Sequence, residues 1–286
     1  MRKSPLASKL KSKAAHNTGV LNHGQVVQKT HVSSRRTHLV ALAAAASSLL
    51  WHRDAECFGQ SGAFRVRRLR FGTQLPDAAR DTAASRWAWE LMQRTSAPAR
   101  LDGCTVPAQS AQLLDEPFAI WSGFDDPGPL SAAERRAVDR FLRMGGLLIV
   151  DDSSPSAGNF GRGTRREISS IVSDSPIQVL APQHVLYKSF YLLNRPAGRY
   201  AGSGKVDAIS RGRLAQVLFL DCDLLGALST LSAGHWTFDI ASGGPRQREE
   251  AIRFATNIAM YLLCSDYKDD QVHAAWLMRH RLQNRK

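Results

Sequence analysis

From Phe64 onward the chain sorts its apolar residues into two patterns: short runs, and longer segments in which they recur every three to four positions. "FRVRRLR" (Phe64 to Arg70) alternates, which predicts an edge or half-exposed strand with its arginines on the wet face. "AARDTAASRWAWELMQRTSA" (Ala78 to Ala97) sets Trp87, Leu91 and Arg94 at helical spacing. "EPFAIWSG" (Glu116 to Gly123) is an apolar run stopped by glycine, the pattern of a buried strand. In "PLSAAERRAVDRFLRMGG", Ser131 with Glu134 three residues on predicts a capping box. Val138, Phe141 and Leu142 form that helix's apolar face, and Gly145-Gly146 ends it.

"LLIVDD" (Leu147 to Asp152) reads as a second buried strand, and "TRREISSIV" (Thr164 to Val172) as another helix. "KVDAISRGRLAQVLFLDCD" predicts a hairpin turning at Arg211-Gly212, and Arg246 to Cys264 a long amphipathic helix. Trp87, Trp89 and Trp121 are assigned to the core. Strands alternating with helices through short connections imply an α/β fold, a doubly wound and mostly parallel sheet flanked by helices. A hydrophobic content of 43% over 286 residues supplies core enough for one such domain, placed at 58–267.

The net charge of +13 changes this picture less than its distribution does. Of 38 Lys/Arg and 25 Asp/Glu, residues 1–57 hold 9 and 2, residues 268–286 hold 5 and 2, and the body holds a near-balanced 24 and 21. No zinc finger, RNA-binding aromatic motif or basic helix accompanies the arginines, so a nucleic-acid partner is not expected. Cys57, Cys104, Cys222 and Cys264 form no CxxC pair and no zinc-ligand spacing. A disulfide among the last three is compatible with an oxidising compartment.

The basic N-terminal part carries an address. Leu39 to Trp51 is too short for a membrane span, which needs about 20 apolar residues. It suits the apolar core of a secretory signal, and Ala55-Glu56-Cys57 offers small residues for cleavage between Cys57 and Phe58. "Ser34-Arg35-Arg36-Thr37-His38-Leu39-Val40" resembles the twin-arginine export signal, with Arg35 and Arg36 as its pair. Residues 32–57 are therefore read as signal peptide, which implies a periplasmic location and no stable transmembrane span after cleavage. Residues 1–31, polar and without apolar periodicity, are expected to be a disordered extension, or the product of a start site set too early. Residues 268–286 are expected to form a helical tail docked through Trp276 and Leu277, with Arg279 and Arg281 solvated.

A series of stretches, "LSAAE", "FLRMGGLLIVDD", "HVLYKSFY", "GRLAQVLFLDCDL" and "NIAMYLLCSDYKDDQVH", resembles the bacterial family called domain of unknown function 4159. The likeness runs over most of Phe64 to Met278 and keeps the order of the motifs. It implies a flavodoxin-like or class I glutamine-amidotransferase-like fold, and membrane-anchored envelope proteins as company. It implies no established activity.

In such sheets ligands bind beyond the carboxyl ends of the strands. Asp151 and Asp152 end one strand, Asp221 and Asp223 end another, and His184 lies between them in sequence. If the strands are neighbours, these five could bind a divalent metal or act as acid and base. The competing reading has each aspartate capping a helix or satisfying loop amides. Ser153, Asn159 and Arg162, in the glycine-rich stretch after Asp152, are candidate ligand contacts. An amidotransferase nucleophile is missing, because no cysteine stands in a G-x-C-x-G turn and Ser153 and Ser154 lack flanking glycines. Asp221 and Asp223 beside Cys222 disfavour its thiolate. Two functions follow: an exported, non-catalytic binding or assembly module, or an exported hydrolase working through the aspartates and His184, with or without a metal.

Overall fold

Seven strands hydrogen-bond in the order β2-β1-β3-β4-β7-β6-β5. The computed structural model describes residues 62–268 apart from 75, 213 and 233, so the expected signal, cleavage site and tail lie outside the described residues. In chain order the main elements are β1 (Arg67–Arg70), α1 (Thr82–Arg94), β2 (Cys104–Pro107), β3 (Phe118–Gly123), α2 (Ala132–Arg143) and β4 (Leu147–Asp152). Then follow α3 (Asn159–Ile171), β5 (Gln178–Val179), β6 (Asp207–Arg211), β7 (Leu214–Leu220), α4 (Leu224–Leu228) and α5 (Gly244–Lys268). The first five strands in the sheet order are mutually parallel, while β6 runs antiparallel to β7 and β5 to β6. The sheet is thus mainly parallel, and β6–β7 is the expected hairpin.

Period-two alternation divides the sheet's apolar residues between two cores. Leu147, Ile149, Leu218 and Leu220 pack with α1, α4 and α5 through Trp87, Leu91, Leu225, Phe254 and Ile258. Leu148, Val150, Val217 and Phe219 pack with α2 and α3 through Val138, Phe141, Phe160 and Ile168. No helix among the described residues is long and apolar enough to cross a membrane. Cys104, Cys222 and Cys264 are free thiols.

The capping box forms as expected. Ser131 Oγ accepts from the Glu134 amide at 3.3 Å, and the Glu134 carboxylate accepts from the Ser131 amide at 2.9 Å. The same carboxylate accepts from Gly72 N at 2.6 Å, fastening the end of β1 to α2. Ser131→Ala should therefore lower the unfolding free energy by about 1 kcal/mol, measured by urea titration.

Three expectations are corrected. β1 is not an edge strand: it lies between β2 and β3, and Arg67 and Arg68 are buried. Burial is tolerated because the guanidinium donors are spent internally, apart from Arg68 Nε, which has no partner. Arg67 donates to the carbonyls of Phe118 (3.1 Å), Gln112 (2.6 Å), Leu113 (3.0 Å) and Glu116. Arg68 donates to the Asp81 carboxylate and, at 2.8 Å, to the Asp77 carbonyl. Second, Trp89 is 42% exposed and not core; its ring stacks under Arg86, whose other face covers Trp236. Third, α3 begins at Asn159, five residues before the expected start. The glycines at 161 and 163 are helical and give α3 room against Asp152 and Asp126, where side chains would collide.

Between α1 and α5, Arg94 pairs with Glu249 through two 2.8 Å contacts. Hydrogen bonding from Arg94, with help from Arg253, brings the Glu249 pKa down from 4.5 to about 2. A depressed carboxylate pKa contributes stability above the unfolded value and loses it as pH falls through the folded value. The difference between wild type and Glu249→Gln, at most about 1 kcal/mol for a partly exposed pair, should hold steady above about pH 5 and vanish near pH 2. Urea titrations across that range measure it.

Candidate functional site

β2 lies on one side of β1 and β3 on the other, so the connections diverge there. β4 and β7 are direct neighbours, with Asp151 paired to Leu220. The aspartates at their ends are therefore close in space, as the chemistry of a shared site would require. The pleat, however, distributes them over both faces of the sheet.

Asp151 turns toward α4 and accepts from the amides of Leu224 and Leu225, both at 2.9 Å. It is fully buried, and burial with the neighbouring Asp223 charge pushes its pKa well up, against the pull of those amides. Asp152 turns the other way, toward α3, and accepts from Ser154 N (2.9 Å) and Gly161 N (3.1 Å). Asp221 accepts from Ser203 N at 2.8 Å through Oδ2, while its buried Oδ1 has no partner.

Asp223 organises the α4 side. It is the only described non-glycine residue at positive φ, 51°, on the turn from β7 into α4. Its carboxylate accepts from Arg80 Nε at 2.9 Å and Nη2 at 2.8 Å, from Arg199 Nε at 2.5 Å, and from Gly226 N at 3.0 Å. Arg80 also binds the Asp77 carboxylate. Burial works against the Arg80 charge, and the two carboxylates outweigh it, so its pKa is raised. Three aromatic rings enclose the pair: Arg80 stacks on Phe124 (4.8 Å) and Phe238 (4.6 Å), and Arg199 on Tyr200 (4.2 Å) and Phe238 (5.2 Å).

Gly198 allows Arg199 to come this close. A Cβ there would stand 2.1 Å from the Cys222 carbonyl oxygen. Without one, the segment bonds across to the turn, Arg199 N to Asp223 O at 3.2 Å and Tyr200 N to Cys222 O at 3.0 Å.

The remaining candidates are dispersed. Ser153 is buried beside this network, with its carbonyl 3.5 Å from Arg199 Nη2 and its hydroxyl unpartnered. Asn159 and Arg162 are exposed on the first turn of α3 and bond to each other at 2.6 Å. His184 caps a short turn by accepting from Leu186 N at 3.2 Å, and its ring packs against Tyr261. The Tyr261 hydroxyl meets Ala215 N, near the start of β7 and so away from the aspartates at its far end. Burial lowers the His184 pKa. Cys222 is fully buried, and burial with Asp151, Asp221 and Asp223 raises its thiol pKa well above the ordinary value. Among the described residues no group of three or more His, Cys, Asp or Glu side chains is arranged to hold a metal ion.

The model of the family described as domain of unknown function (DUF4159) matches residues 65–263. The chain belongs to the DUF4159 family. No curated protein matches it. The DUF4159 match takes in all seven strands and every residue of the network around Asp223. Arg80, Arg199 and Phe238 of this domain were not among the sequence candidates. The available signal was an arginine beside a ring in "GRY" (Gly198 to Tyr200), too common a pattern to single out.

Proposed function

We propose that this chain is an exported bacterial envelope protein whose DUF4159 domain is a binding or assembly module and not a catalyst. Its strand order fits a flavodoxin-like, class I glutamine-amidotransferase-like architecture extended by the β6–β5 antiparallel edge. The observation that carries the reading is how the strand-end carboxylates are used. Asp151 and Asp152 hold loop and helix amides, and Asp223 is saturated by two guanidinium groups and a backbone amide. A general acid or base needs a proton-accepting atom in reach of substrate, and these oxygens face inward. Ser153 is not at a strained turn of the nucleophile kind, since the positive φ falls on Asp223. Cys222 has carboxylates and no base beside it. The hydrolase reading keeps one supporting feature, the unpartnered Oδ1 of Asp221.

Incubation with Mg²⁺, Mn²⁺, Ca²⁺ or Zn²⁺ should leave the native mass and the melting temperature unchanged, and p-nitrophenyl acetate should not be turned over above background. A metal adduct lost in Asp221→Asn would install the hydrolase reading instead. Export rests on Arg35 and Arg36. A periplasmic species beginning at Phe58 is expected in wild type and should disappear in the Arg35→Lys/Arg36→Lys double variant, as intact mass spectra of cell fractions would read out. Recovery of the uncleaved chain from the cytoplasm in both would refute it.

A further inference from the structure

At the carboxyl ends of β3, β4 and β7, on the face that carries α4, two side chains keep donors that the internal bonding leaves unused. The first is Ser153, 1% exposed, whose Oγ has no hydrogen-bond partner. It continues the alternation of Ile149 and Asp151, so its side chain leans to the face where Arg80, Arg199 and Asp223 meet. An enclosed hydroxyl without a partner is costly and calls for an explanation at the site. The second is the outer edge of Arg199. Its Nε is committed to Asp223, its plane is held by Tyr200 and Phe238, and Nη2 has only the 3.5 Å contact to the Ser153 carbonyl. Nη1 bonds nothing among the described residues. A guanidinium fork is thus held in place with Nη1 unused and Nη2 engaged only at 3.5 Å, an arrangement that can recognise a carboxylate through two parallel hydrogen bonds.

The surroundings narrow the ligand. Arg80 and Arg199 are already offset by Asp77 and Asp223, so no surplus positive charge is present to favour a dianion. The rings around the two guanidinium groups are Phe238, Tyr200 and Phe124, the last 41% exposed. We propose that this end of the sheet binds a monocarboxylate with an apolar body, Arg199 gripping the carboxylate through Nη1 and Nη2 and the Ser153 hydroxyl donating to it. The proposal rests on the binding-module reading of the same site and names the chemistry that site takes.

Calorimetric titration of the full-length chain tests it with four probes: 3-phenylpropionate, its uncharged amide, inorganic phosphate, and an N-acetyl dipeptide ending in phenylalanine. The free acid should bind, and the amide and phosphate should not. A tighter fit for the dipeptide would identify peptide C-termini as the source of the carboxylate; a tighter fit for the free acid would identify small acids. Arg199→Gln should weaken binding about tenfold or more, the loss of one charge-assisted pair. Ser153→Ala separates recognition from folding. Removing an unpartnered hydroxyl should leave the melting temperature of the free protein unchanged or raised, while weakening the carboxylate several-fold. Should Arg199→Gln fail to fold, Ser153→Ala alone decides. Unaltered affinity in Ser153→Ala, no binding of the free acid at millimolar concentration, or preference for phosphate would overturn the proposal and leave the module reading standing. Hydrolysis of the dipeptide would overturn both.

Discussion

Asp223→Ala is expected to destabilise the protein by about 3–5 kcal/mol, because it leaves buried guanidinium groups without their carboxylate. Arg80 is 1% exposed and has only Asp77 to fall back on, and Arg199 loses the contact that orients it. The backbone separates the variants further. At φ 51° an alanine is strained and glycine is not, so Asp223→Gly should be the milder by about 1 kcal/mol. Asp223→Asn should cost least of the three, since asparagine tolerates that conformation and can keep the 3.0 Å bond from Gly226 N. Adding Arg80→Met to Asp223→Ala should cost less than the two effects summed, since the second change removes a charge that the first left unpaired. Urea titration followed by fluorescence of the buried Trp87 and Trp121, with Arg80→Met alone included, gives all five values. Equal losses for Ala, Gly and Asn would mean that the turn conformation does not carry the effect, and full additivity of Asp223→Ala with Arg80→Met would mean that the charge pairing does not.

Arg67→Ala should be comparably damaging, about 3–5 kcal/mol, for a different reason. No acidic residue is its main partner. One guanidinium serves four carbonyls, three of them from the segment Gln112 to Glu116 and the fourth from Phe118 at the start of β3. Burial pulls its pKa down, and Glu116 only partly opposes this. Arg67 therefore caps the carbonyl end of the short 3-10 turn Ala111–Leu114 and the chain that follows it into β3. Lysine has three donors on a flexible stem and cannot span four acceptors, so Arg67→Lys should recover less than half of the loss. A surface arginine of an edge strand would lose under about 0.5 kcal/mol on the same substitution. That outcome would return β1 to the half-exposed role its alternation suggested.

The contrast between these arginines shows where sequence reading stopped. Everything governed by near neighbours was legible: the Ser131–Glu134 box, the β6–β7 hairpin, the buried run of β4, the helical face of Val138, Phe141 and Leu142. Hydrogen bonds within a few residues and the periods of helix and strand decide such features, and both are written locally. The mostly parallel sheet followed from the same elements because short connections leave few ways to pack them. The opposite headings of Asp151 and Asp152 were implicit in the pleat, although the residues were first read as one cluster.

Strand order was not local. Whether "FRVRRLR" is an edge or lies between two strands depends on where β2 and β3 land, and that choice decides whether Arg67 and Arg68 meet water or carbonyls. The network around Asp223 is less local still. Arg80 reaches it across 143 residues of chain and Arg199 across 24, and no local period says that either side chain would meet Asp223. By itself, then, the sequence determined the elements, their buried faces and the α/β class. The tertiary structure decided which polar side chains meet at the end of the sheet, because a buried charge takes its partner from whatever the folded chain brings within 3 Å of it.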